Sequence, residues 1–206
     1  MRKINFRALI WLIPAILAVI IGELHPQLQG PAAVIFFILS IGFFRSILRE
    51  RIPSRKIQLV SGILGISFGF LALATAGGIY QSLSEVMSKR AISISATPFY
   101  EEFLKAGGVY VLALRNRKLL KSWRTAAICG LLAGLVFGVG EGLAQPSIYR
   151  PLTATLHTLE TMVFALGVRF MAVGEGRRAG NLAGLCMAFA VLSHMFWNAF
   201  APIVLP

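Results

Sequence analysis

The chain contains 206 residues, of which 57% are apolar and 14% are charged, and its 20 Lys and Arg residues against 8 acidic residues give a net charge of +12. An ordinary soluble domain is about one quarter charged, and a disordered basic tail is poor in large apolar residues, so both classes are excluded. The composition indicates a polytopic membrane protein. All eight acidic residues are glutamates, which restricts any carboxylate inside the membrane to a short set.

Seven segments approach the roughly 20 apolar residues that a helix needs to cross a bilayer. They cover residues 8–24, 31–48, 57–80, 98–114, 126–145, 152–173 and 181–205. No segment shows the alternating pattern of a membrane-spanning strand. We therefore predict an all-α, polytopic membrane helical bundle of about seven transmembrane helices. It forms a single integral membrane domain over residues 1–206, with three N-terminal helices in 1–94 and a four-helix core in 95–206.

The distribution of basic residues predicts how this bundle is oriented. Arg2, Lys3 and Arg7 precede the first apolar segment as in a signal peptide, but no cleavage site of small residues follows, so we expect an uncleaved first span. Sixteen basic residues fall on the side that holds the N-terminus and three on the other side. Since cytoplasmic loops retain Lys and Arg, the N-terminus is predicted inside and the C-terminus outside. The positive charge then reflects topology and contact with anionic lipid headgroups, and no nucleic-acid partner is expected.

The fourth segment carries three charged side chains close together. Thr97 is predicted to cap the helix and Pro98 to occupy its first turn. Glu101 and Lys105 are spaced i,i+4, and Glu102 and Lys105 are spaced i,i+3, so one lysine can neutralise one of two adjacent carboxylates. A charged group near the bilayer centre costs about 2.5–3.5 kcal/mol, and such residues usually face a partner or a wet cavity and have a function.

The last three segments also contain polar residues among apolar ones, namely Glu141, His157, Glu160, His194 and Asn198. Counted from the predicted helix ends at 1.5 Å per residue, most of these groups and Glu101 lie roughly 4 to 12 Å below the outer surface. Four helices thus place polar groups at one depth. Glu160 is spaced i+3 from His157, where orienting the histidine is the favoured role over a direct one.

Four glycines at intervals of four residues lie on the fifth segment, at Gly130, Gly134, Gly138 and Gly142. Such a ridge allows another helix backbone to approach closely. Because Glu141 lies on the flank of this ridge, we expect tight packing here to hold Glu141 beside the other polar groups.

Residues 95–200 resemble a known protein family. In order and spacing, Glu101-Glu102-x-x-Lys105, Phe137-x-x-x-Glu141, an intervening His157 and His194-x-x-x-Asn198 are similar to the motifs of the PrsW-like branch of the CPBP intramembrane proteases. This superfamily also includes the type II CAAX prenyl endopeptidases. That branch has arginine one position after Lys105 and histidine in place of Glu141, and both departures fit the PrsW-like proteins.

The resemblance implies an intramembrane endopeptidase of a prokaryotic cytoplasmic membrane. The four-helix core would be catalytic, and its substrates would be membrane-anchored proteins, such as anti-sigma factors or peptide precursors, cut near the extracytoplasmic side. Peptide hydrolysis needs a water, a base and donors for the oxyanion. Glu101 is assigned as the base and Glu102, paired with Lys105, as its support. Glu141 and His157, beside Phe137, would position water or bind metal, and His194 and Asn198 would donate to the substrate carbonyl.

Two questions remain open at this point. The cofactor is none or zinc, with Glu101, Glu141, His157 and His194 as candidate ligands, because zinc accepts carboxylate oxygen and imidazole nitrogen. The alternative functions are a proton- or ion-coupled transporter and a non-catalytic immunity or scaffold protein. Transporters usually have internal repeats and broken helices near the midplane, and the sequence shows neither.

Overall fold

The computed structural model describes residues 54–144 and 150–204, together with Pro14, Leu17, Pro31, Ile35, Ile38 and Leu39. Within these residues the chain is all-helical. Its main helices are α1 (Arg55–Leu83), α2 (Thr97–Lys105), α3 (Gly107–Arg115), α4 (Trp123–Ala144), α5 (Arg150–Val173) and α6 (Gly176–Val204). A short helix at Lys89–Ala91 and a π-helix at Ile92–Ala96 precede α2, and a 3₁₀-helix at Arg117–Lys121 precedes α4. The spans predicted at 8–24 and 31–48 lie outside the described residues, apart from the six positions above.

Four of the described helices are long and apolar enough to cross a membrane. These stretches are Arg55–Leu83, Trp123–Leu143, Thr153–Val173 and Gly176–Phe200. They confirm the spans predicted at 57–80, 126–145, 152–173 and 181–205. The chain is therefore an integral membrane protein. The most apolar window of α4 is 67% buried against 22% for α1 and 17% for α6, so α4 is the most enclosed of the four spans in the described part of the chain.

The continuous helix predicted at 98–114 is wrong, because the structure breaks it at Ala106 between α2 and α3. Two glycines follow the break, and glycine is a poor helix former. α1 also approaches closely here: a Cβ on Gly107 would meet the Phe68 ring, and one on Gly108 would lie 3.1 Å from Leu64 and 2.6 Å from the Cys129 sulfur. Lys105 is therefore the last residue of α2, directly before the break. The sequence did not reveal this position.

The predicted cap at Thr97 is also wrong. Helical backbone begins at Lys89, where Ser88 Oγ accepts a hydrogen bond from the Ala91 N–H at 3.3 Å. The π-helix then leads directly into α2, with the Thr97 N–H donating to the Ile92 carbonyl five residues earlier. Pro98 has no N–H to donate, which fits a change of hydrogen-bond register at this point. Depths counted from a helix start at Pro98 therefore do not hold for Glu101.

The glycine ridge on α4 packs against α5, as predicted. A Cβ at Gly130 would lie 2.6 Å from the Thr161 carbonyl oxygen, one at Gly134 would meet the His157 carbonyl oxygen, and one at Gly138 would lie 2.6 Å from Ala154 Cα. Residue numbers fall along α5 as they rise along α4, so the two helices are antiparallel. Two glycines of α1 approach the other side of α4 in the same way. This close packing places the His157 backbone directly against Gly134 of α4.

The ends of several helices meet at a basic end of the bundle. Arg169 on α5 donates to the carbonyls of Leu120 and Lys121, each at 2.9 Å, which fastens α5 to the 3₁₀-helix. α3 ends here and α4 and α6 begin nearby in sequence. Glu141 lies near the end of α4 and His157 near the start of α5, which are the ends of these helices away from Arg169 and the 3₁₀-helix. The fold thus separates a basic end from a half of the bundle that holds the buried polar groups.

Candidate active site

The charged residues of α2 are fully inside the protein. Glu101 is 4% exposed, while Glu102 and Lys105 are 0% exposed. Lys105 Nζ lies 2.5 Å from Glu102 Oε1, so the i,i+3 pairing predicted from the sequence is present. Thr161 Oγ1 on α5 donates to the other oxygen of Glu102 at 2.8 Å. The lysine therefore neutralises Glu102 and leaves the Glu101 carboxylate for other interactions.

His157 on α5 lies between Lys105 and Glu141. Lys105 Nζ is 3.3 Å from His157 Nδ1, and His157 Nε2 is 2.7 Å from Glu141 Oε2. An ammonium has donors and no acceptor, so these contacts assign a neutral histidine that accepts at Nδ1 and donates its Nε2–H to Glu141. The Phe137 ring packs edge-on against His157 at 5.2 Å between centroids and lies 4.4 Å from Lys105 Nζ. Phe137 thus covers the apolar side of this chain of contacts.

His194 on α6 connects the same centre to both glutamates of α2. Its Nδ1 lies 3.1 Å from Glu102 Oε1, and its Nε2 lies 3.7 Å from Glu101 Oε2. The rings of His194 and His157 are 4.6 Å apart and nearly perpendicular. The structure therefore brings together residues from α2, α4, α5 and α6 that the sequence separates by up to 93 positions.

Glu160 belongs to the same centre, although the sequence favoured a merely orienting role for it. Its side chain is 3% exposed, and Ser193 Oγ donates to its Oε1 at 2.9 Å. Glu160 Oε2 lies 3.9 Å from Nδ1 of both His157 and His194. Sequence reasoning missed Thr161 and Ser193, whose positions next to Glu160 and His194 were the available signal.

Asn198 lies one turn beyond His194 on α6, and its amide Nδ2 donates to the Ser93 carbonyl at 2.9 Å. Ser93 belongs to the π-helix before α2. This contact ties α6 to the segment that leads into Glu101. That Asn198 donates to a substrate carbonyl stays a prediction.

Four buried side chains are close enough to hold one metal ion. Glu102, His157, Glu160 and His194 each offer a ligand atom, and these atoms lie within 4.8 Å of one another. Zinc accepts this combination of carboxylate oxygen and imidazole nitrogen. Glu102 and Glu160 stand in this group where the sequence suggested Glu101 and Glu141.

Glu141 is the most exposed side chain of the centre. The Glu141 side chain is 38% exposed, whereas the side chains of His157, His194 and Glu101 are at most 5% exposed. Glu141 is thus the member of the centre nearest the surface, and it contacts the buried His157 directly.

Comparison with known proteins agrees with this geometry. The model of the PrsW family of intramembrane metalloproteases matches residues 53–206, well over half of the chain. No curated protein and no solved structure matches the chain. The match contains all the helices that build the buried centre, and the chain is an intramembrane protease that belongs to the PrsW family.

Proposed function

We propose that this protease hydrolyses peptide bonds of membrane-anchored protein substrates near the extracytoplasmic side of the membrane. The observation that carries the proposal is the buried centre itself, in which carboxylates and imidazoles from four helices meet within a few ångströms of one another. Buried charges are costly in a membrane protein, and evolution usually retains them for function. Residues 95–206 would be the catalytic core, and the order of its motifs supports a place in the CPBP superfamily.

Glu101 is proposed as the general base that takes a proton from water. Its burial and its position 3.7 Å from His194 Nε2 support this role. Glu102 is already held by Lys105 and Thr161, so its support of the site is electrostatic and structural. Two adjacent carboxylates therefore have different environments, which is how enzymes give similar groups different tasks.

Glu141 and His157 are proposed to receive and orient the water. Glu141 is the exposed member of the centre, and it fixes the tautomer of His157 by accepting from Nε2. In a mechanism without metal, His194 is proposed to stabilise the developing oxyanion on the substrate carbonyl. Asn198 is proposed to assist there, and its contact with Ser93 supports a positioning contribution.

The residues of the centre fit the metal ion that the family description implies. His157, His194 and a carboxylate from Glu102 or Glu160 would hold it. Glu160 Oε2 is buried and has no hydrogen-bond partner within the described part of the chain, and a bound cation would satisfy this oxygen by coordination. A bound zinc ion would supply Lewis-acid polarisation of the peptide carbonyl and ease the deprotonation of water.

The proposed orientation has the N-terminus inside and the C-terminus outside, in a bundle of about seven spans in a prokaryotic cytoplasmic membrane. The basic end formed around Arg169 and the 3₁₀-helix supports it, because Lys and Arg are retained in the cytoplasm. The buried centre would then lie in the outer half. Alkaline phosphatase fused after residue 206 should be active and the same enzyme fused at Arg117 inactive, and the reverse pattern would refute the orientation.

The function is tested by cleavage of a single-span reporter protein whose outer juxtamembrane segment lies between two epitope tags. Glu101→Gln, Glu141→Gln and His194→Ala should each abolish cleavage, while the proteins remain inserted in the membrane. Glu175→Gln is the matched control, because Glu175 is exposed between α5 and α6. Normal turnover by Glu101→Gln would refute its role as base. Uptake of a solute into vesicles without any proteolysis would instead favour a transporter.

A further inference from the structure

Among the described residues, Glu160 differs from the other glutamates of the centre because one of its oxygens is buried without a hydrogen-bond partner. Its Oε1 accepts from Ser193, but its Oε2 is buried and has no hydrogen-bond partner among the described residues. That free oxygen lies 3.9 Å from His157 Nδ1 and 3.9 Å from His194 Nδ1. A buried carboxylate oxygen aimed at two imidazole nitrogens is the arrangement that a metal ion would complete.

Glu102 is a weaker candidate for the carboxylate ligand. Its Oε1 already contacts Lys105 and His194, and its Oε2 accepts from Thr161. A metal ion bound to Glu102 would therefore have to displace interactions that neutralise this side chain. Within the residues that the structure describes, Glu160 Oε2 has no hydrogen bond to give up, so this carboxylate itself could bind a metal ion without losing a partner.

Glu141 contacts the opposite nitrogen of the His157 ring from the one that Glu160 faces. It accepts from Nε2 of His157, whereas Glu160 faces Nδ1 on the other side of the same ring. A histidine that binds metal through one nitrogen commonly donates its other N–H to a carboxylate, which fixes the ring. Glu141 therefore has the position of an orienting partner for His157, and Glu160 has the position of a ligand beside it.

We propose that Glu160 is the carboxylate ligand that joins His157 and His194 in holding the metal ion. The inference rests on the metal binding proposed above, and it goes further by naming the ligand and its support. The hydroxyl of Ser193 holds Oε1 and so fixes the direction of Oε2. Lys105, which shares His157 Nδ1, has to release that nitrogen when the metal binds and keeps its partner Glu102.

The experiment measures zinc binding to the purified protein in detergent, independently of proteolysis. Metal-stripped protein is titrated with Zn²⁺ against a competing chelator, and metal content is measured after dialysis. The variants are Glu160→Gln, which keeps size and removes charge, and Ser193→Ala, which leaves Glu160 in place. His194→Ala is the positive control for loss of a ligand, and Glu175→Gln is the control for loss of an exposed carboxylate.

The wild-type protein and Glu175→Gln should bind one equivalent of zinc. Glu160→Gln should lower the affinity at least about 100-fold, and Ser193→Ala about tenfold, since outer partners of metal ligands typically contribute 10- to 100-fold. Equal affinity of wild type and Glu160→Gln would overturn the proposal. If Glu160→Gln does not fold, the zinc affinity of Ser193→Ala tests the proposal. An affinity equal to that of the wild type would count against ligation by Glu160.

Failure of this inference and failure of the proposed function give different results. A wild-type protein that cleaves the reporter without bound metal overturns ligation by Glu160 and leaves hydrolysis at the centre standing. A protein that binds zinc through Glu160 but cleaves no reporter supports the ligand and counts against the proposed function.

Discussion

Lys105 Nζ and Glu102 Oε1 lie 2.5 Å apart, and both side chains are completely buried. Lys105 also contacts His157 Nδ1 at 3.3 Å, so one ammonium connects the end of α2 to α5. A buried pair of this kind is costly to form but still more costly to break, because the remaining charge is left without the opposite charge that neutralised it. The stability of the centre therefore depends on keeping both members of the pair.

Replacement of Lys105 by methionine tests this dependence. We expect Lys105→Met to lower the free energy of unfolding in mixed micelles by about 3–5 kcal/mol, since Glu102 is left charged and buried. The double variant Glu102→Gln with Lys105→Met should recover part of the loss, because neither charge then remains. Lys89→Met, at an exposed lysine, is the control. A loss in Lys105→Met no larger than in the control would contradict the argument.

The sequence predicted the parts of the site that depend on spacing within one helix. The i,i+3 pair of Glu102 and Lys105 follows from helical geometry alone. The contact between Glu160 and Ser193 could not be predicted in this way, because it depends on how α5 and α6 are rotated against each other. A single sequence shows which face of a helix is polar, but not which residue of another helix faces it.

The break at Ala106 shows a second limit. Hydropathy treats residues 98–114 as one apolar segment, and glycine is common in membrane helices, so Gly107 and Gly108 gave no clear signal. In the structure, α1 and Cys129 pack so closely against these two glycines that a larger residue would clash. Likewise, the π-helix before Pro98 moved the start of helical structure away from the predicted cap at Thr97.

Gly134 tests whether the close approach of α4 to α5 supports the site. A Cβ at this position would meet the His157 carbonyl oxygen and lie 2.8 Å from Thr158 Cα. Although alanine is the better helix former, we expect Gly134→Ala to destabilise the protein by about 1–3 kcal/mol, because the backbones would have to separate. Thermal unfolding in detergent measures this. Gly184→Ala on α6, where a Cβ would meet nothing within 4 Å, should be neutral or stabilising, and equal effects of the two changes would refute the idea.

Glu141 tests the orientation of His157. Glu141→Gln keeps the size of the side chain but removes the negative charge beside His157 Nε2, so we expect metal affinity to fall about 10- to 100-fold. Because Glu141 is the most exposed member of the centre, the unfolding temperature should change little. Glu85→Gln, at an exposed glutamate, is the control. A large loss of stability with unchanged metal affinity would assign Glu141 a structural role.

Asn198 tests whether an amide near the centre acts on the substrate or on the protein. Its Nδ2 donates to the Ser93 carbonyl, so Asn198→Ala should release the π-helix from α6 and cost about 1 kcal/mol of stability. If Asn198 also acts through the position of Glu101, both kcat and the unfolding temperature should fall together. A donor used only in the transition state would lower kcat and kcat/KM equally and leave stability unchanged. Asn181→Ala, an exposed asparagine near the start of the same helix, is the control and should alter neither quantity.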